Sequence, residues 1–177
     1  MELLTLDLRG ALGKQAFFGA AAERAQDLTP VWNFVHNVWL HEIAQQFLSE
    51  GRFVSDGEEW APLNPEYARW KARHLPPPAP LGILYRTGRL LEALSNEGSA
   101  EHVFSSTPDS VLLGATTPYG KYHQTGTDHM PVRPIIRTRN RFRRTVIRAA
   151  VRHILSGDID SIEPADIQAP PEPGESA

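Results

Sequence analysis

The chain has 177 residues, of which 41% are hydrophobic and 22% charged, with a net charge of −3 and no cysteine. This composition is typical of one soluble globular domain, and it excludes disulfide frameworks, thiolate metal sites and cysteine nucleophiles. No run approaches the roughly 18 apolar residues that span a bilayer, and the start lacks a signal-peptide layout, so we expect a cytoplasmic protein.

The N-terminal part of the chain predicts helices. Residues 3–8, LLTLDL, show the alternation of an opening strand, and a helix is expected over residues 9–26. Thr29 followed by Pro30 is typical of an N-cap and a proline at the first helical position. Because apolar residues then recur at helical spacing, we predict a long helix that ends near Gly51.

The middle of the chain predicts short elements separated by turns. Tyr67 and Trp70 are three residues apart and share one side of a short helix. LPPPAP at residues 75–80 ends that helix, because proline lacks the amide donor and restricts the preceding residue. Another short helix is expected to open near Thr87, and alternating runs around TPDS, residues 107–110, predict a β-hairpin.

A final amphipathic helix is predicted from about Asn140 to Leu155. At about 100° per residue, its apolar stripe comprises Phe142, Val146, Ala150 and Ile154. The opposite side is an arginine face, formed by Arg141, Arg144, Arg148 and Arg152. Arg143 falls on the apolar side, so its stem is expected to cover the core edge while its head stays in water.

The charges of the C-terminal part are separated along the chain. Eight arginines and no acid lie in residues 132–153, whereas six acids and no base follow Gly157. We therefore divide the chain into a globular domain, residues 1–157, and an acidic, proline-rich arm, residues 158–177, which has too little apolar surface to fold alone. Partners of opposite charge are expected, in other molecules or in other copies of the chain.

The arginine face has three possible roles: DNA contact, a protein interface or a solvated surface. It supplies the clustered positive charge that phosphate binding needs, so Arg141, Arg144, Arg148 and Arg152 are candidates for DNA contact. An isoelectric point of about 6.2 and the lack of a recognition motif argue against DNA contact. A protein interface is favoured, followed by a solvated face.

The stretch KYHQTGTDHMPVRP, residues 121–134, combines features of a metal-binding or catalytic loop. His123, Asp128 and His129 offer nitrogen and oxygen ligands to zinc or another divalent metal. However, their spacing matches no compact helical ligand pair, and turn geometry explains the glycines and prolines. We therefore expect no metal and no cofactor, with His123 as a packing or hydrogen-bonding residue and His129 as a solvated one.

Enzyme signatures are also missing from the sequence. It has no phosphate-cradling glycine loop, no nucleophile elbow and no helical histidine pair around a glutamate. Glu58 and Glu59 are candidates for a general acid and base, but a solvated turn is favoured. Trp60 and Trp70 could stack on a ligand, but packing in the core or at a subunit interface is favoured. We therefore predict no catalysis.

Three sequence elements occur in a fixed order. They are W-x-P-L at residues 60–63, L-x-R-T-G-x-L at residues 84–90, and Y-H-Q-x-G-T followed by M-P-x-R-P at residues 122–134. Over about residues 53–155, this set resembles the phage virion morphogenesis family, the tail-completion proteins of Mu-like and related tailed phages. The extra prolines of the middle connection and the acidic arm lie outside the family pattern.

The resemblance implies a structural virion protein at the neck or tail, where head and tail join, and no catalysis. Such proteins are expected to form a ring around the DNA passage and to meet connector, neck, tail-tube or terminator proteins, with non-specific contact to genomic DNA and none to membrane. Before assembly the protein would lie in the host cytoplasm. The expected fold is α+β: a small antiparallel sheet packed with a long N-terminal helix and a C-terminal amphipathic helix, plus an extended arm.

In such a ring component, the shape of the loop at residues 121–134 is its expected function. Gly126 can take backbone angles closed to other residues, while prolines hold the chain extended on either side of Arg133. Arg133 is expected to reach a carboxylate or carbonyl as a forked donor, within the subunit or across an interface. The predicted interface or loop residues are Trp60, Leu63, Tyr122, His123, Gly126, Arg133 and Pro134, with Tyr122 and His123 at the loop base and Trp60 and Leu63 as anchors.

Overall fold

The computed structural model describes residues 9–53, 59–75, 82–137 and 140–159. The elements within these ranges are α1 Arg9–Ala25, α2 Thr29–Leu48, α3 Pro65–His74, α4 Arg89–Ser95, β1 His102–Ser106, β2 Val111–Ala115, α5 Gly120–Thr125 and α6 Asn140–Ser156. The predicted α+β class is confirmed. The strand expected at residues 3–8 lies outside the described residues, as does the arm from residue 160 onward.

The long helix α2 organises the core along its length. Around its C-terminal half, Trp39, Ile43 and Phe47 pack with residues from the middle of the chain. Around its N-terminal half, Val31 and Val35 pack against α6. The two clusters therefore occupy successive halves of α2 and meet at Leu113 and Phe142, which pack against both.

The start of α2 differs by one residue from the prediction. Thr29, expected to be the N-cap, is already helical, and Leu28 occupies the cap position. The side chain of Asp27 instead accepts a hydrogen bond from the Thr29 amide at 2.9 Å. Pro30 fits in the first turn, because the amide that proline lacks would have no helical partner there.

The predicted hairpin is confirmed as an antiparallel pair, with His102 opposite Ala115 and Ser106 opposite Val111. Its turn is closed by a hydrogen bond from the Thr107 amide to the Ser110 carbonyl at 2.8 Å. A two-stranded hairpin alone is marginally stable in water, so it depends on packing against α4 and α2.

The final helix α6 buries a different stripe from the one predicted. Its buried residues are Thr145, Ala149 and His153, whereas the expected stripe of Phe142, Val146, Ala150 and Ile154 is only half-buried. The shift arises because α6 packs against both α1 and α2, so the centre of its buried face points between them.

The arginines of α6 also depart in part from the predicted pattern. Arg141, expected on the solvent face, is half-buried, and the terminal nitrogens of its guanidinium are inaccessible to solvent. Arg144, Arg148 and Arg152 are exposed as expected. Arg143, expected to lie along the core edge, is exposed as well.

The C-terminal end of α6 is held to the start of α2. His153 donates from Nε2 to the Asp27 carbonyl at 2.9 Å. Arg24 of α1 donates from Nε to the Ile154 carbonyl at 2.9 Å and from Nη2 to the Leu155 carbonyl at 3.0 Å. The Ile154 and Leu155 carbonyls lie in the last turn of α6 and have no partner within the helix, so the Arg24 cation stabilises the helix end.

Two histidines join α2 to the hairpin. The Nε2 atoms of His36 and His102 are 2.9 Å apart, and His102 Nδ1 lies 3.0 Å from the Ala93 carbonyl. Because a carbonyl can only accept, His102 donates from Nδ1, and its Nε2 accepts from His36 only while His102 is neutral. Phe104 stacks on the His36 ring at 4.1 Å between centroids.

This pair predicts a loss of stability in mild acid. Burial lowers the pKa of His36, the charge of His102 lowers it further, and Glu97 opposes the shift. Above about pH 6.5, the ordinary pKa of an unfolded histidine, the His36 contribution to stability is complete. As the pH falls below that value, the unfolded chain binds a proton that the folded chain excludes, so stability falls until the pH passes the lower folded pKa.

Chemical unfolding between pH 8 and 5 measures this effect. The slope attributable to His36 is at most about 1.4 kcal/mol per pH unit, the value for one proton. His36→Phe should reduce the slope of the profile relative to His41→Phe, which removes an exposed histidine from the same helix. Equal slopes in the two variants would contradict the prediction.

Candidate functional site

The three sequence elements of the family resemblance meet around one groove. The groove has a volume of about 960 Å³ and is lined by residues from three stretches, 62–71, 84–90 and 119–133. It lies at the end of the molecule where the C-terminal half of α2 packs, because Leu90 belongs to the same core cluster as Phe47.

Trp60 and Arg133 tie two of these stretches together. Trp60 is 4% exposed, packs edge-on against Phe47, and donates from Nε1 to the Pro134 carbonyl at 2.9 Å. Arg133 is 6% exposed and donates from Nε to the Ala61 carbonyl at 2.7 Å and from Nη2 to the Pro62 carbonyl at 2.9 Å. The forked donor predicted for Arg133 therefore finds its carbonyls within the subunit.

The loop at residues 121–134 is shaped by a residue that the sequence analysis did not single out. Gln124 accepts at Oε1 from the amides of Ile135 and Ile136, at 2.9 and 3.0 Å, and donates from Nε2 to the Ile136 carbonyl at 2.7 Å. Its position within the Y-H-Q-x-G-T element was the sequence feature that could have identified it as a site residue. The start of this stretch is helical, as α5, rather than an open loop, and the Arg133 amide donates to the His123 carbonyl at 2.8 Å.

Gly126 ends α5 in the left-handed backbone region, with φ of 74°. A Cβ at this position would lie 2.9 Å from Cγ2 of Val132 and 3.1 Å from the Met130 carbonyl oxygen. The turn that follows is closed by paired backbone hydrogen bonds between Thr127 and Met130. Both the backbone angle and the close approach require glycine.

Lys71 is a second site residue that the sequence analysis did not identify. It is 1% exposed, and its Nζ donates to the carbonyls of Gly82 and Tyr85 at 2.7 and 2.6 Å. Burial lowers the pKa of Lys71, while Glu50 opposes the shift. Lysine is rarely buried, so nothing in the local sequence marked this position. These bonds hold the second motif stretch against α3.

Aromatic rings form an outer shelf beside the groove. Tyr67 and Trp70 stack with centroids 5.8 Å apart, and the Arg86 guanidinium lies 5.6 Å from the Trp70 centroid. Trp70 is 38% exposed, so within this chain it is not a core residue. Tyr122, expected at the loop base, is instead exposed, whereas Leu63 is half-buried against the core.

The groove is cationic. Its lining includes no aspartate or glutamate among the described residues, but it includes Lys71, Arg86, Arg89, His123, His129 and Arg133. Arg89 forms a bidentate ion pair with Glu101, at 2.5 and 2.6 Å. Burial and the charge of Arg133 lower the pKa of His123, which is half-buried beside Tyr119.

The metal and acid–base candidates do not assemble into a site. His123 is half-buried while Asp128 and His129 are exposed, and no set of three potential metal ligands occurs within the described ranges. Glu59 is exposed and pairs with Arg52 at 3.4 Å, whereas Glu58 lies outside the described residues. No described helix is long and apolar enough to cross a membrane.

Comparison with known proteins gives one relative. Over 83 residues the chain is 31% identical to the Mu-like prophage FluMu G protein 1 of Haemophilus influenzae. The aligned part covers 45% of this chain and 49% of that protein, so the chain spans about half the length of the relative it matches. No protein-family model and no solved structure shows a significant match. The chain is therefore similar to a Mu-like phage protein.

Proposed function

We propose that the chain is a structural virion protein of a Mu-like phage, which forms a ring at the head–tail junction and completes the tail or joins it to the head. The observation that carries this proposal is the convergence of the three motif stretches on one groove. Their contacts join Trp60 to Pro134 and Arg133 to Ala61, across 74 and 72 residues of sequence. The similarity to the Mu-like prophage protein supports the phage origin.

The exposed apolar residues support self-association. On α6, Ile147, Val151 and Leu155 recur every four residues and are 60%, 48% and 49% exposed. On the adjoining α1, Phe17 and Phe18 are 45% and 66% exposed. Monomeric proteins rarely leave contiguous apolar surface in water, so such a helix face is typical of a protein interface. A heterologous contact through this face closes into a ring when the rotation between copies permits.

Val151→Glu is the corresponding test. The purified chain should form a closed oligomer in analytical ultracentrifugation. A carboxylate in place of the apolar side chain at position 151 should weaken that assembly by at least about tenfold in concentration, because the charge must lose its hydration when the interface forms. Leu112→Glu, at a 62% exposed leucine of the hairpin, is the matched control and should assemble normally. In complementation of a phage that lacks the gene, Val151→Glu should leave heads and tails unjoined.

The second candidate, a DNA-binding accessory protein, is favoured by the exposed arginines of α6. Arg144 and Arg148 lie four residues apart on the solvent side of the helix. The same preparation distinguishes the two functions. A chain that stays monomeric and binds duplex DNA, with a salt slope reduced by the double substitution Arg144→Glu and Arg148→Glu, would replace the ring proposal with this alternative.

A further inference from the structure

The groove has the chemical character of a receptor for a negatively charged, extended chain. Cations line it on all three stretches, whereas no aspartate or glutamate of the described residues does. Glu101 pairs with Arg89, and the charge of Glu50 acts on the buried Lys71. Lys71 and Arg133 donate their hydrogen bonds to backbone carbonyls rather than to carboxylates. The groove therefore keeps a positive potential, which favours an anionic ligand.

The aromatic rings of the groove favour a second property of the ligand, a high proline content. Tyr67, Tyr85 and Tyr119 line it together with Pro62 and Pro131, and Trp70 extends the shelf outside. Aromatic-lined grooves bind proline-rich chains, because a polyproline II segment is already extended and loses little entropy when it docks. A proline-rich segment that also carries acids would match both properties of the groove.

Residues 160–177 of this chain have that composition. They contain four prolines, Pro164, Pro170, Pro171 and Pro173. They also contain five acids, Asp160, Glu163, Asp166, Glu172 and Glu175, and no lysine, arginine or histidine. We propose that the groove binds the acidic, proline-rich segment 160–177 of a neighbouring copy of this chain.

The end of α6 and the groove lie at opposite ends of α2. The segment follows α6, whose end is bonded to Asp27 at the N-terminal end of α2. The groove packs around Phe47 and Leu90 at the other end. Donor and receptor are therefore separated by about the 30 Å length of α2. An extended segment of this length spans up to about 60 Å, so it reaches a groove in its own chain or in a neighbour, and the isotope composition of the cross-linked products distinguishes the two. A subunit with its donor at one end and its receptor at the other makes heterologous contacts, which link copies head to tail.

The inference rests on the self-association in the proposed function and adds the contact that mediates it. Cross-linking the full-length chain tests it. A photoreactive benzoylphenylalanine replaces Tyr67, which lines the groove and is 39% exposed, and an equal mixture of unlabelled and ¹⁵N-labelled protein is irradiated. Mass spectrometry of the digest should find position 67 joined to a peptide from residues 160–177, with half of the products of mixed isotope composition.

Charge variants make the test specific to the groove. Arg86→Glu should reduce the cross-link yield by about tenfold at low salt, because a charged hydrogen bond or ion pair is replaced by repulsion. Arg73→Glu, an equivalent reversal at an exposed residue of α3 that does not line the groove, is the matched control and should leave the yield unchanged. Combining Arg86→Glu with Glu172→Arg and Glu175→Arg should restore part of the cross-link yield, because the groove then carries an anion where the segment carries cations.

Each other outcome overturns the inference. Cross-links to residues 76–81, or to no segment of the chain, would show that the groove has a different occupant. Products without mixed isotope composition would place the segment in its own groove. If the protein oligomerises without the cross-link, the inference fails and the proposed ring stands. A protein that remains monomeric up to millimolar concentration contradicts both.

Discussion

Replacing Trp60 with alanine is expected to lower the free energy of unfolding by about 3–5 kcal/mol, the usual range for truncating a buried aromatic residue. Trp60 is 4% exposed, and its ring fills the space between Phe47 and the left-handed turn at Gly51. Its indole nitrogen also satisfies the Pro134 carbonyl, so the substitution removes a hydrogen bond between two motif stretches. Urea denaturation followed by circular dichroism measures the change.

Trp70→Ala is the matched control for this prediction. Trp70 is 38% exposed and contacts Tyr67, His74 and Arg86 on the surface, so its truncation should cost less than about 1 kcal/mol. The loss of unfolding free energy for Trp60→Phe should fall between those for Trp60→Ala and Trp70→Ala, because phenylalanine keeps most of the apolar area but not the indole donor. Similar unfolding midpoints for Trp60→Ala and the wild-type chain would show that Trp60 does not anchor the groove.

Arg133→Met is expected to cost about 3 kcal/mol, because two charged hydrogen bonds are lost and two carbonyls lose their partners. Methionine keeps much of the side-chain volume, so the measured loss reports mainly the polar contacts to Ala61 and Pro62. Arg133→Lys should recover only part of the loss, since one ammonium cannot reproduce the planar fork.

The control for Arg133 is Arg144→Met, at an exposed position of α6 where a change within about 0.5 kcal/mol is expected. Guanidinium chloride titrations of the three variants at one pH provide the measurement. An equal loss for Arg133→Met and Arg144→Met would contradict a structural role for the buried guanidinium. A selective loss would show that the groove is held open by contacts that do not involve its ligand.

Together these contacts make the groove a preformed site. Trp60, Lys71 and Arg133 each satisfy backbone carbonyls from a different stretch, so the walls do not depend on a bound partner for their position. A preformed site reduces the entropy lost on binding, because fewer side chains must be ordered. This rigidity suits a protein whose proposed role is to make the same contact with every neighbour in a ring.

The sequence analysis failed where burial contradicted residue type. Lys71 is charged, and charged residues are usually exposed, so nothing local distinguishes it from Arg73. Tyr122 carries a large ring that local reasoning placed inside, yet it is 45% exposed. The buried side of α6 was also displaced, because helical periodicity locates a face but not the pair of neighbours that covers it.

By itself, the sequence determined the order and type of the described elements except α5. The apolar periodicity of α2, the TPDS turn of the hairpin and the proline stop after α3 are local signals, because they depend on backbone angles and on side chains three or four residues apart. Only the tertiary structure decided that the three motif stretches surround one groove. Trp60 and Pro134 are 74 residues apart, and their contact follows from how the whole chain packs around the C-terminal end of α2.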